Sequence, residues 1–106
     1  MFDINKIQRN TYTNYEKGHE YHKTSEVPTG KPYVVTGLFT NDSKYGETLT
    51  IATKDFNIFA PQHVMLLVKP YIYDSDFIET VNQGLLRATV REYDTGKYTI
   101  DFTLAE

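Results

Sequence analysis

The sequence predicts an all-β domain with a helical insert: five short antiparallel strands closing into a barrel, with helix between the third and fourth. Three observations carry this. Residues 32–59 hold three runs rich in β-branched and aromatic residues. Two prolines and a glycine bracket helical pieces over 61–83. Residues 84–104 hold two alternating runs joined by Asp94, Thr95 and Gly96.

The first run, KPYVVTGLFT, predicts a strand near 32–41, and Gly37 inside it predicts a bulge or sharp coil. NDSKYGE, residues 41–47, is made of turn formers and carries Lys44 and Tyr45 at its tip. ETLTIATK alternates Leu49, Ile51 and Thr53 against Thr48, Thr50 and Ala52, a half-buried strand near 47–54. FNIF is a short third strand near 56–59. Pro61 suits a first helical position, where its missing N–H costs nothing, and Pro70 stops the piece it opens. DSDFIETVNQ starts a second piece. Asp74 or Ser75 can cap it, Glu79 stands three residues after Asp76 as in a capping box, and Gly84 ends it. In the fourth strand, near 84–93, Leu86, Ala88 and Val90 face one way and Arg87, Thr89, Arg91 and Tyr93 the other. The fifth, near 97–104, alternates Tyr98, Ile100, Phe102 and Leu104 with polar residues, and Gly96 supplies the left-handed position of the hairpin between them. Residues 1–29 are polar and lack a long apolar period, so they read as an N-terminal arm before a barrel domain over 30–106.

With 106 residues the chain has enough surface to bury for one domain and one modest core. Cysteine is absent, which excludes a disulfide framework, a thiolate metal site and a cysteine nucleophile. The longest apolar run, Val64 to Val68, is too short to span a bilayer, and MFDINKIQRN has no apolar signal region. The expectation is a cytoplasmic protein with no membrane partner. HEYH, at 19–22, places two histidines three apart without a third ligand at a recognisable spacing, so they read as surface histidines. Phosphate-binding glycine loops and nucleophile elbows are missing too, so the chain reads as no enzyme and needs no cofactor or metal.

Five short strands with a helix between the third and fourth is the order of the OB-fold, a partly open Greek-key barrel. The stretches GKPYVVTGLF, KYGETLTIAT, APQHV and VNQGLLRATVREYDTGKYTIDF also resemble small OB-fold single-stranded-DNA-binding proteins from phages and mobile elements of Gram-positive bacteria. The resemblance covers roughly residues 30–103 and implies a single-stranded DNA or RNA partner in the host cytoplasm, with a homo-oligomer as a further expectation.

Net charge is −3, so any nucleic-acid surface must be local. OB-folds bind through the face of strands 2 and 3 and the loops joining strands 1–2 and 4–5. Both of those loops, NDSKYGE and EYDTGKY, contain lysine, tyrosine and glycine. Tyrosines there offer flat faces for any base, and lysines can meet the phosphates. The expected nucleic-acid residues are Lys44 and Tyr45 in one loop, and Arg87, Arg91, Tyr93 and Lys97 on the strand and hairpin leading through the other. Tyr33 and Phe39 share parity on the first strand and join the set, with packing in the core expected for at least one of them. The alternatives are a protein-interaction module, such as a phage-encoded inhibitor of a host protein, and a small virion structural protein. Exposed tyrosines on an acidic chain suit the former, because tyrosine is enriched at interfaces.

Overall fold

The computed structural model describes residues 12–15, 18–44 and 46–105. Its strands are β1 (Tyr21–Lys23), β2 (Pro32–Ser43), β3 (Gly46–Thr53), β4 (Asn57–Ala60), β5 (Leu86–Asp94) and β6 (Lys97–Leu104). Two helices, α1 (Gln62–Val68) and α2 (Ser75–Asn82), lie between β4 and β5. The strands form one sheet in the order β1-β4-β3-β2-β5-β6, curled into a half-barrel.

Length and a bend let β2 organise the sheet. Its first residues pair with β5, Pro32 opposite Thr89 and Val34 opposite Arg87. From Val35 onward it pairs with β3. The register shifts between Val35 and Gly37, so the expected bulge at Gly37 is present. An extra residue on one strand turns it and increases its twist, and here it lets one strand serve both halves of the sheet. Side chains on the inner face, among them Val35, Leu38, Leu49, Ile51, Ile58 and Val90, are buried against Val64 and Met65 of α1 and Val81 of α2.

Strand count departs from expectation: six among the described residues, not five. The sixth, β1, lies in the segment read as an arm and pairs in parallel with β4, Tyr21 opposite Asn57 and Lys23 opposite Phe59. Tyr-His-Lys has no apolar alternation to betray it. What makes it a strand is the backbone edge that β4 offers, with the Asn57 N–H donating to the Glu20 carbonyl at 2.8 Å. Beyond β1, the 3-10 turn Thr24–Glu26 touches both β4 and β6. The Thr24 hydroxyl donates to the Phe59 carbonyl at 2.5 Å, and Val27 enters the core. The barrel expected to close by strand pairing is therefore a half-barrel whose gap is bridged by residues 24–27.

Helix over 61–83 is present in two pieces. Pro70, in the 3-10 turn Lys69–Tyr71, separates them, since a proline has no N–H to continue the α-ladder. Asp74 is the cap of α2, its carboxylate accepting the Phe77 N–H at 3.0 Å. Gly84 follows the helix at φ +73°, the left-handed position that favours glycine. The turn expected over 41–47 is shorter. Ser43 pairs with Gly46, so Asn41 and Asp42 belong to β2 and only Lys44 and Tyr45 lie between the strands.

Candidate functional site

Directly paired residues in a sheet present their side chains to the same face. Phe39 of β2 pairs with Thr50 of β3, Thr50 with Phe59 of β4, and Phe59 with Lys23 of β1. These four therefore make one row across the outer face, opposite the core. The adjoining row is Gly37, Ala52, Asn57 and Tyr21. Aromatic rings join the rows into a ribbon. Tyr21 stacks on Phe59, centroids 5.1 Å apart and planes inclined by 19°. Tyr15 lies on Phe39 at 4.7 Å, and Tyr12 meets Phe39 edge-on at 5.5 Å. Desolvation raises the pKa of the Tyr15 phenol, and the neighbouring Tyr21 side chain raises it further. The β2 end of the ribbon, at Phe39, is covered by Tyr12 and Tyr15. Its far end is open, with Tyr21 54% and Phe59 45% exposed.

Gly37 has a specific role. A Cβ there would stand 2.7 Å from Cε2 and 2.9 Å from Cζ of Phe39. The Cε2–Cζ edge of the Phe39 ring thus lies against the glycine, in space that any side chain would fill. Tyr12 is anchored at its other end, its hydroxyl donating to the Ile72 carbonyl at 2.9 Å. Burial pushes its phenol well above the ordinary tyrosine range, with Tyr73 adding to the shift. Beside Tyr15 opens a cleft of about 670 Å³, with His19, Lys54, Asn82 and Gln83 among its walls.

The residues expected from sequence fall in several places. Tyr33 is 5% exposed, in the core and edge-on to Phe56 at 5.0 Å, so it has no open face for a base. The bulge breaks its shared parity with Phe39, and only Phe39 reaches the outer face. Lys44 is exposed at the β2–β3 tip, and Tyr45 lies outside the described residues. Arg91 and Tyr93 come together. With His63 and Thr99 they line a shallow depression of about 500 Å³. There His63 Nε2 and the Thr99 hydroxyl are 2.8 Å apart, and His63 meets the Tyr93 ring edge-on at 6.0 Å.

The cations are less available than their spacing suggests. Arg91 donates through Nε to Oδ2 of Asp101 at 2.7 Å and through Nη2 to Oδ1 at 3.3 Å. That hydrogen-bonded pair raises the Arg91 pKa and holds the Asp101 carboxyl below the usual carboxylate range. Arg87 donates to the Gly84 carbonyl just past the end of α2, a place where a cation complements the helix dipole. Lys97 lies 4.0 Å from Asp94. The two loops stand at opposite ends of β2: the 44–45 tip follows Ser43, while Gly30, before Pro32, donates to the Val90 carbonyl of β5.

Sequence reasoning missed Phe59, Tyr21 and Lys23. The alternation of β4 could have placed Phe59 outward. Tyr21 and Lys23 carried no signal, because only β1 pairing brings them to this face. Of the histidines at 19 and 22, His22 lies 3.5 Å from Glu20 and edge-on to Phe56. Among the described residues no helix is long and apolar enough to cross a membrane. Compared with protein families, curated proteins and solved structures, the chain finds no match.

Proposed function

We propose that this chain binds single-stranded DNA without strong sequence preference, on the outer face of β2–β4 and its flanking hairpins. One observation carries the reading: the row Phe39, Thr50, Phe59 and Lys23, with Tyr21 stacked on its open end. Strands 3-2-1-4-5 of an OB-fold correspond in order to β4-β3-β2-β5-β6 here, with helix in the same slot. In that fold this face and its loops take oligonucleotides. Stacking is tolerant of sequence because every base has a π-face. Lys23, Lys44 and Lys54 lie near enough to the ribbon or its hairpin to follow a phosphate chain, and Arg91 with Tyr93 extends the surface past the bend of β2. On this reading the protein acts in the cytoplasm of a host, like the phage and mobile-element group its sequence resembles, and the half-barrel edges offer a route to oligomers.

A labelled oligothymidine titrated at several salt concentrations tests it. Phe59→Ala removes a stacking face, so affinity falls roughly 5- to 150-fold, equivalent to ~1–3 kcal/mol for one base, with the salt slope unchanged. Tyr45→Ala behaves in the same way. Lys44→Ala removes a phosphate contact, and the slope of log affinity against log salt flattens by roughly 0.7. Circular dichroism establishes that each variant is folded. Oligouridine in parallel separates DNA from RNA preference. An unmodified protein without salt-sensitive binding near micromolar concentration would end the nucleic-acid reading.

A further inference from the structure

The helical side of the molecule carries a second exposed surface. Leu66 is 62% exposed, Leu67 70%, Tyr71 55% and Tyr73 81%. Four large apolar or amphipathic side chains within eight residues are more than scattered surface hydrophobes, and clustered exposure of this kind marks interaction sites. Their exposure has a local cause. On α1 it is Val64, Met65 and Val68 that face the core, which leaves Leu66 and Leu67 pointing out. Pro70 then breaks the helix, and Tyr71 settles beside Phe77 of α2, ring centroids 6.2 Å apart.

Carboxylates outnumber cations in the chain around this surface. Exposed Asp74, Asp76 and Glu79 follow directly in the chain, and residues 70–86 contain no lysine or arginine. Lys69, the cation nearest the patch in sequence, is held by the Glu47 carboxylate. An apolar centre with an acidic border suits a partner of the opposite pattern. A second copy of this chain meets the patch poorly, because a two-fold contact sets each acidic border against itself. Nucleic acid and anionic lipid are repelled for the same reason.

We infer that the α1–α2 surface, centred on Leu66, Leu67, Tyr71 and Tyr73, docks an amphipathic segment of another protein that presents lysine or arginine around apolar side chains. The site is separate from the aromatic ribbon and does not depend on the nucleic-acid reading. Apolar anchors supply the contact area, and the carboxylates choose the sign of the partner.

A synthetic amphipathic helix of leucine and lysine is the probe, and the same pattern with glutamate in place of lysine is its control. Amide chemical shifts of the labelled protein report where each binds. The lysine peptide shifts residues 66–79, and the glutamate peptide shifts nothing. Leu66→Gln with Leu67→Gln keeps helix-forming side chains on α1 and weakens the lysine peptide at least tenfold. Asp76→Asn with Glu79→Gln weakens it at least threefold. The inference is overturned if the lysine peptide does not bind, if its shifts fall elsewhere, or if both double variants bind it as the unmodified protein does. Sedimentation that shows a dimer lost on Leu66→Gln with Leu67→Gln also overturns it, because the occupant is then a second copy.

Discussion

Gly37→Ala tests whether the aromatic face is packed as tightly as the geometry implies. Gly37 is not among the glycines at positive φ, so alanine meets no backbone penalty there. Its methyl carbon would lie 2.7 Å from Phe39 Cε2, whereas carbon atoms rest at about 3.5–4.0 Å. The ring must therefore retreat by roughly 0.8 Å or more. Tyr15 and Tyr12 lie against that ring at 4.7 and 5.5 Å, so the retreat displaces both, or tilts Phe39 off a favoured rotamer. Overpacking of this kind costs about 1–3 kcal/mol. For a domain of this size that lowers Tm by roughly 5–20 °C. Urea denaturation of Gly37→Ala, Phe39→Leu and the double variant makes a cycle. If the clash with the ring is the cause, alanine at 37 costs at least about 1 kcal/mol less in the leucine background than beside phenylalanine. An equal cost in both backgrounds puts the strain in the bulge and refutes the packing argument. A cost below about 0.5 kcal/mol beside Phe39 refutes it as well.

Three further outcomes follow from named contacts. Asp101→Asn removes the carboxylate that holds Arg91, so oligothymidine binding should tighten and its salt slope steepen by roughly 0.7, read from the same titrations. The folded Asp101 carboxyl is depressed by that pair, so the pair stabilises above the unfolded carboxylate value of about 3.9 and its contribution is lost as pH falls through the folded value. The Tm difference between the unmodified protein and Asp101→Asn should therefore be constant above about pH 5 and shrink below about pH 4, and a difference that grows on acidification would contradict the pairing. Asp74→Ala loses the cap on the Phe77 N–H and should cost about 0.5–2 kcal/mol in urea denaturation, while Asp74→Asn retains most of it.

By itself the chain determined its elements from β2 onward. Period-two alternation places Leu49 and Ile51, or Leu86, Ala88 and Val90, on a single face whatever the rest of the molecule does, because successive side chains in a strand must point to opposite sides. Prolines and glycines punctuate by local sterics, so Pro61, Pro70, Gly84 and Gly96 marked helix and hairpin boundaries without reference to any neighbour. Local rules reach no further. β1 exists because β4 has an open backbone edge, and hydrogen bonds to an edge leave no mark in the sequence Tyr-His-Lys. Phe39 and Tyr33 were indistinguishable by parity until the bulge at Thr36–Gly37 sent one outward and the other into the core. Arg91 and Asp101, ten residues apart, became partners only when β5 and β6 set their register. An aromatic ribbon assembled from residues 12, 15, 21, 39 and 59 is likewise a product of tertiary structure, since a sheet brings together side chains by strand pairing and not by distance along the chain.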